Sequence, residues 1–192
     1  MFIESITKEE LADLPLHAFD GEIVLVENEE QLQWAVNYLK KQDVLGFDTE
    51  TKPAFKRGQV HQVALLQLST CDKAFIIRIS KIGLPEILKD ILADENITKV
   101  GVAIRDDIKA LQKINRFTPG GFIELQDEVK EYGIQDFSLK KITGIVLGFR
   151  ISKSQRLSNW EADQLTDAQL SYAATDAWVS CEIFNSLIAA QS

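Results

Sequence analysis

Histidine and cysteine are scarce in this chain of 192 residues, two of each. A zinc centre draws three or four such ligands from close spacings, and no such spacing occurs. Cys71 and Cys181 are too few for a disulfide framework. They are expected as buried thiols rather than as a disulfide. No apolar run approaches the roughly 20 residues of a membrane span. The first stretch, MFIESITKEELADLPL, lacks a basic segment followed by an apolar one and does not read as a signal peptide. A cytoplasmic protein with no membrane contact is the simplest expectation. Positive charge is in deficit as well: 21 Lys and Arg stand against 29 Asp and Glu, a formal net charge of −8. That balance argues against a general coat for nucleic acid. It leaves room for an enzyme that holds one nucleic-acid end, where metal ions supply positive charge locally. A G-x-G-x-x-G loop is missing too. GVAIRDD follows a strand without it, so a dinucleotide-binding protein such as a dehydrogenase would lack its phosphate cradle.

What is present suits one α/β domain. The hydrophobic share of 45% is ordinary for a globular chain of this length. NEEQLQWAVNYLKKQD opens on Asn28, a helix cap, and repeats Leu32, Ala35, Val36 and Leu39 at helical spacing. VLGF, VALLQLST and KAFIIRI are apolar runs of strand length, the last two parted by a turn at Asp72. LPEILKDILAD is expected as a helix with Pro85 in its first turn. ITKVGVAI reads as a strand, RDDIKALQKIN as a helix and GGFIELQ as a further strand. DFSLKKITGIVLG is a helix ending near Gly148. A polar stretch leads to the last and longest helix, opened by a Thr166/Gln169 capping box. Strands that first run as a near-meander and then alternate with helices predict a mixed sheet, mostly five-stranded, with helices packed on it. Residues 1–21 are expected as an arm with one short helix, and residues 22–192 as the single domain.

The acids break this pattern. In VLGFDTET the period of two puts Asp48 and Glu50 on one face of a buried strand. In RDDIKALQKI, Ile108, Ala110, Leu111 and Ile114 cluster on one helical face. Asp107 falls in the middle of that face and Asp106 points away. In the last helix Val179, Ile183 and Leu187 mark a buried stripe. Asp176 lies within it, and Tyr172 sits one turn earlier on the same side. Any one of these acids has an ordinary explanation as a cap or ion-pair partner. Four aimed inward do not. At ~4 Å and an effective dielectric near 20, each like-charge contact costs on the order of 4 kcal/mol. A divalent cation removes that cost, and an oxygen-only ligand set without His or Cys favours Mg²⁺ or Mn²⁺ over zinc. Clustered carboxylates with hard metals are the parts of a two-metal phosphoryl-transfer site.

These segments resemble a known family. FDTET is similar to the first motif of the DEDD 3′–5′ exonucleases and VGVAIRDD to the second. YAATD, Tyr172 to Asp176, matches the tyrosine form of the third, Y-x-x-x-D. The stretch SLKKITGIVLGFRISKSQRLSNWEADQLTDAQLSYAATDAW is similar to the corresponding part of the Werner-type exonuclease domain and, more loosely, of ribonuclease D. The likeness runs from about residue 22 to residue 188. It implies a ribonuclease-H-like fold, with two divalent cations, Mg²⁺ or Mn²⁺, held by Asp48, Glu50, Asp107 and Asp176. It assigns Tyr172 to the attacking water. The substrate implied is a nucleic acid with a free 3′ end, shortened one nucleoside 5′-monophosphate at a time. The Werner-like segment favours DNA over RNA. Ribonuclease D-like RNA 3′-end processing and an inert nucleic-acid-binding relative are the alternatives. No stretch here resembles a helicase or a helical nucleic-acid-binding domain, so substrate capture is expected from this domain or from a partner.

Substrate contacts are read from two further segments. Lys52, Lys56 and Arg57 follow the first motif with Phe55, a mixture that suits phosphate contact and stacking on an unpaired base. An ordinary solvated loop is the alternative there. Lys153 and Arg156 are placed to reach the substrate backbone. Trp160 is expected in the core.

Overall fold

Every residue from Val63 to Ser69 is buried, the mark of a strand covered on both faces. This strand sits at the centre of the computed structural model, which describes residues 2–56 and 58–191. Six strands are present among the described residues: β1 (Glu22–Val26), β2 (Val44–Thr51), β3 (Val63–Ser69), β4 (Lys73–Ile77), β5 (Thr98–Gly101) and β6 (Phe122–Glu124). They form one sheet in the order β1-β4-β3-β2-β5-β6. β3 alone runs opposite to the other five, because it is antiparallel to both β2 and β4 while every other pair is parallel.

The sheet therefore has one strand more than the sequence pattern predicts. The extra one is β1 at the edge, EIVLV, a short apolar run with no alternation to mark it. GGFIELQ is a strand only over β6, and its end becomes α6 (Leu125–Glu131). ITKVGVAI is likewise cut short. β5 stops at Gly101, and Ala103 takes the left-handed conformation, φ 60°, before α5 (Ile104–Ile114) begins.

Helices cover both faces. On one side α2 (Glu29–Leu39), α4 (Glu86–Ala93) and α5 contribute to a cluster with Leu45, Phe47, Leu66, Leu68, Phe75 and Ile77. Pro85 stands just outside α4 as its N-terminal cap rather than in its first turn. α3 (Ile79–Ile82) is a single turn after β4. On the other side lie α7 (Leu139–Leu147), started by Ser138 and ended by Gly148 at φ 74°, and α8 (Asp167–Ala189), opened by the expected Thr166/Gln169 box. Residues 2–21 hold α1 (Lys8–Asp13) and lie along this face. The backbone N–H of Ile6 donates to Asp136 at 2.9 Å, and Phe19 is buried among Leu65, Tyr172 and Ala173. No helix among the described residues is long and apolar enough to cross a membrane.

Candidate active site

Asp48 and Glu50 leave β2 on the face covered by α8, two residues apart and opposite Gln67 and Leu65 of β3. Gly46 is what lets α8 come close. A Cβ at that position would lie 1.8 Å from the carbonyl oxygen of Ala177. Only a residue without a side chain permits that approach. The next residue back along α8 is Asp176, 4% exposed. Carboxylate oxygens of Asp48, Glu50 and Asp176 consequently all lie within 4.8 Å of one another. Tyr172, one turn earlier, is 7% exposed and packs beside Trp160, ring centroids 5.9 Å apart. Trp160 is fully buried, as expected.

Asp107 reaches the same area from α5 but stands outside that group of three. Its Oδ1 accepts from the Thr49 hydroxyl at 2.5 Å. Thr49 lies between the two β2 acids and points to the opposite face, so it holds Asp107 at the rim. The helical phase is as expected: Asp107 is half-buried, whereas the Asp106 side chain is 94% exposed and pairs with Lys109. The start of α5 is fixed from β6. The Glu124 carboxylate accepts from the N–H groups of Ala103 and Ile104 at 2.8 and 2.9 Å. That pair of bonds offsets the roughly 1–3 kcal/mol of a left-handed Ala103 and supplies negative charge at a helix N-terminus.

The electrostatics are those of crowded acids. Burial first, then Asp176, Glu50 and Asp107, push the Asp48 carboxyl well above its ordinary range. Burial and Asp176 raise Glu50 to about 8, against a lowering pull from Lys153. Burial raises Asp107 to about 6 despite the Thr49 hydrogen bond. Asp176 is raised too, again by burial, with Lys153 opposing. Burial and the neighbouring acids Asp176, Glu50 and Asp48 hold the Tyr172 phenol protonated. Asp176 Oδ1 is buried with no hydrogen-bond partner among the described residues. An oxygen-only set with an orphaned carboxylate oxygen is a fit for a hard divalent cation.

The remaining candidates divide. Lys153 does reach the site, but onto an acid: its Nζ lies 3.3 Å from Asp176 Oδ2 and 5.7 Å from the centre of the Tyr172 ring. Lys52 is 3.2 Å from Glu161. His61 Nδ1 is 3.5 Å from the same carboxylate, so Glu161 ties the segment after β2 to the segment before α8. Phe55 is 78% exposed, and Lys56 and Arg156 are exposed. Arg57 lies outside the described residues. Sequence reasoning missed Thr49, Glu124 and Arg78. Arg78 is 1% exposed, and its guanidinium donates to the carbonyls of Asp163, at 3.0 Å, and Ala162. It thereby pins the polar stretch that carries Trp160 and Glu161. Cys71 departs from expectation. It is exposed, because it falls in the turn between β3 and β4, while Cys181 is buried and both are free.

A mixed six-stranded sheet flanked by helices, with acids gathered between its centre and its last helix, is a ribonuclease-H-like fold. Comparison with known proteins makes the class specific. A family model described as 3′–5′ exonuclease matches residues 23–189, and the chain belongs to that family. It is similar to the mouse bifunctional 3′–5′ exonuclease/ATP-dependent helicase WRN, 36% identical over 151 residues, covering 76% of this chain and 11% of that protein. Mouse exonuclease 3′–5′ domain-containing protein 2 is 32% identical over 184 residues, covering 88% of this chain and 28% of the relative. The chain thus spans well under a third of either. Among solved structures, the exonuclease domain of Nibbler from Aedes aegypti superposes with a TM-score of 0.80 at 23% identity, over 89% of this chain and 90% of that one. The chain is thus a member of the 3′–5′ exonuclease family.

Proposed function

We propose that this domain hydrolyses the terminal phosphodiester of a nucleic acid from its 3′ end with two divalent cations, Mg²⁺ or Mn²⁺, releasing nucleoside 5′-monophosphates. The observation that carries this reading is the convergence of Asp48, Glu50 and Asp176 within 4.8 Å, with Tyr172 beside them and Asp107 at the rim. Asp48, Glu50, Asp107 and Asp176 would hold the cations, whose contribution when bound is to lower the pKa of water and to neutralise charge on the departing oxygen. The side chains account for the rest. The neutral Tyr172 hydroxyl accepts a hydrogen bond from the attacking water and fixes its lone pair toward phosphorus. The new P–O bond forms as the bond to the departing 3′ oxygen breaks, and the proton the water gives up to solvent is balanced by the one the 3′ oxygen takes from it. Glu50, at the outer end of the acid pair, accepts from the terminal 3′ hydroxyl, which restricts cleavage to ends.

Lys153 carries a positive charge into the acid cluster. It offsets the Asp176 charge before cations bind and turns to a phosphate oxygen of the substrate afterwards. Lys52, Lys56 and Arg57 contact the backbone from the segment after β2, Arg156 does so from the segment before α8, and the exposed Phe55 ring stacks on an unpaired base. DNA is the favoured substrate, on the strength of the segment from Ser138 to Trp178 and its likeness to the Werner-type domain. A cytoplasmic location belongs to the same reading.

The test is digestion of 5′-labelled single-stranded DNA, recessed-end duplex and RNA, each with Mg²⁺, Mn²⁺ or chelator. A ladder shortening from the 3′ end with either metal, abolished by chelator and fastest on DNA, is expected. Faster digestion of RNA would transfer the reading to ribonuclease D-like processing. Immediate release of the labelled 5′ nucleotide would reverse the polarity. Intact substrates in every tube would leave an inert nucleic-acid-binding relative.

A further inference from the structure

Gln67 stands at the centre of β3 and is fully buried, yet among the described residues neither its amide oxygen nor its amide nitrogen has a hydrogen-bond partner. A buried amide with both ends unpaired is costly, and native structures carry few of them. Its surroundings offer little relief. Ile76 stands beside it in register on β4. Leu65, two residues earlier on the same face, belongs to an apolar cluster with Ile76, Ala173 and Ala174. On the other side, in register on β2, stands Asp48. Residues directly opposite on antiparallel strands share a face with Cβ atoms about 4.5–5.5 Å apart. The two-carbon stem of a glutamine spans that gap with a rotamer change alone.

Packing does not account for this residue, since a methionine of the same length would fill the space without the penalty. We infer that Gln67 is a positioning residue for Asp48. When Asp48 ligates a cation, the Gln67 amide group turns to it and donates an N–H to the carboxylate oxygen that faces β3. The bond fixes the plane of the carboxylate and thereby the place of the cation. Partners of this kind behind metal-binding carboxylates govern affinity as well as rate. The inference rests on the proposed metal site, and it explains a group that the fold alone leaves unsatisfied. The same amide makes the metal-free protein less stable than its packing allows.

The experiment is Gln67→Met, with Gln67→Leu as a second variant should the first fail to fold. Three readings are taken: melting temperature in chelator, calorimetric titration with Mn²⁺, and single-turnover cleavage of a 5′-labelled single strand at saturating Mn²⁺. In chelator the variant is expected to melt at or above the wild-type temperature. Its Mn²⁺ affinity should be weaker by about 10–100-fold, with slower cleavage. A variant that melts well below wild type in chelator would show a structural amide and overturn the inference. So would unchanged Mn²⁺ affinity, whatever the cleavage rate. If wild-type protein takes up no Mn²⁺, the metal site itself is wrong. If wild type binds and Gln67→Met binds equally well, the metal site stands and only the role of Gln67 falls.

Discussion

A Cβ on Gly46 would sit 1.8 Å from the carbonyl oxygen of Ala177. One strand glycine thereby sets the spacing between β2 and α8, and with it the distance between Asp48 and Asp176. Side chains at the ends of this contact cannot yield, because the obstacle is backbone on both sides.

Gly46→Ala is expected to push α8 outward and separate the acids. Overpacking typically costs about 1–3 kcal/mol, and a backbone clash places this variant at or beyond the upper end. Thermal melting should show the loss, and Mn²⁺ titration should show a weakened site even where the fold persists. Wild-type melting together with wild-type Mn²⁺ affinity would mean that α8 is free to slide and that Gly46 does not set the site.

Metal-free stability should fall as pH rises. Glu50 is raised from 4.5 to about 8 and Asp107 from 3.8 to about 6, and Asp48 and Asp176 shift the same way. Between about pH 5 and 8 the folded state keeps protons that the unfolded chain has already lost. Each unit of raising pH through that window therefore favours unfolding. Cations bind the ionised acids, so their affinity should climb over the same range, with protons released on binding. Melting curves at pH 5, 6, 7 and 8 check this. A decline is expected in chelator and its removal in Mn²⁺. A melting temperature that rises with pH in chelator would show that the acids ionise freely and do not crowd one another.

Asp106 and Asp107 are neighbours with opposite expectations. Asp107→Asn keeps the Thr49 contact and the size of the side chain but removes the charge. Most cleavage should disappear. Asp106→Asn removes an exposed charge paired with Lys109, and most activity should remain. A dead Asp106→Asn variant would put the wrong residue of α5 at the site.

The acid site was legible because it obeys local periods. Asp48 and Glu50 follow from alternation along a strand, and Asp107 rather than Asp106 from the 3.6-residue period. Tyr172 and Asp176 follow from the stripe through Val179, Ile183 and Leu187. What supports the site was not legible, because it depends on contacts distant in sequence. Glu124 caps α5 from 20 residues away, and Arg78 reaches Asp163 across 85. Gly46 reads as an ordinary strand residue until α8 is placed against it. β1 escaped for a related reason: EIVLV has no period of its own, and only its pairing with β4 makes it a strand.

In the proposed mechanism Tyr172 separates two jobs of the site, holding cations and holding water. Its ring packs on Trp160 and its hydroxyl faces the acids. Burial and those acids keep the phenol protonated, a neutral hydroxyl suited to orienting water by hydrogen bond. Tyr172→Phe keeps the ring and removes only that hydroxyl. Melting temperature and Mn²⁺ affinity should stay at wild-type values. Single-turnover cleavage should fall by very roughly 10²–10⁴, the range for a positioned proton-transfer group. Asp176→Asn is the contrast. It deletes a charge that Asp48, Glu50, Tyr172 and Lys153 all face, so Mn²⁺ affinity should drop along with turnover. Calorimetric titration and single-turnover cleavage on wild type and both variants decide the matter. If Tyr172→Phe loses Mn²⁺ as badly as Asp176→Asn, the hydroxyl is itself a ligand or holds one in place. If it cleaves at the wild-type rate, Tyr172 serves packing against Trp160 and another group orients the water.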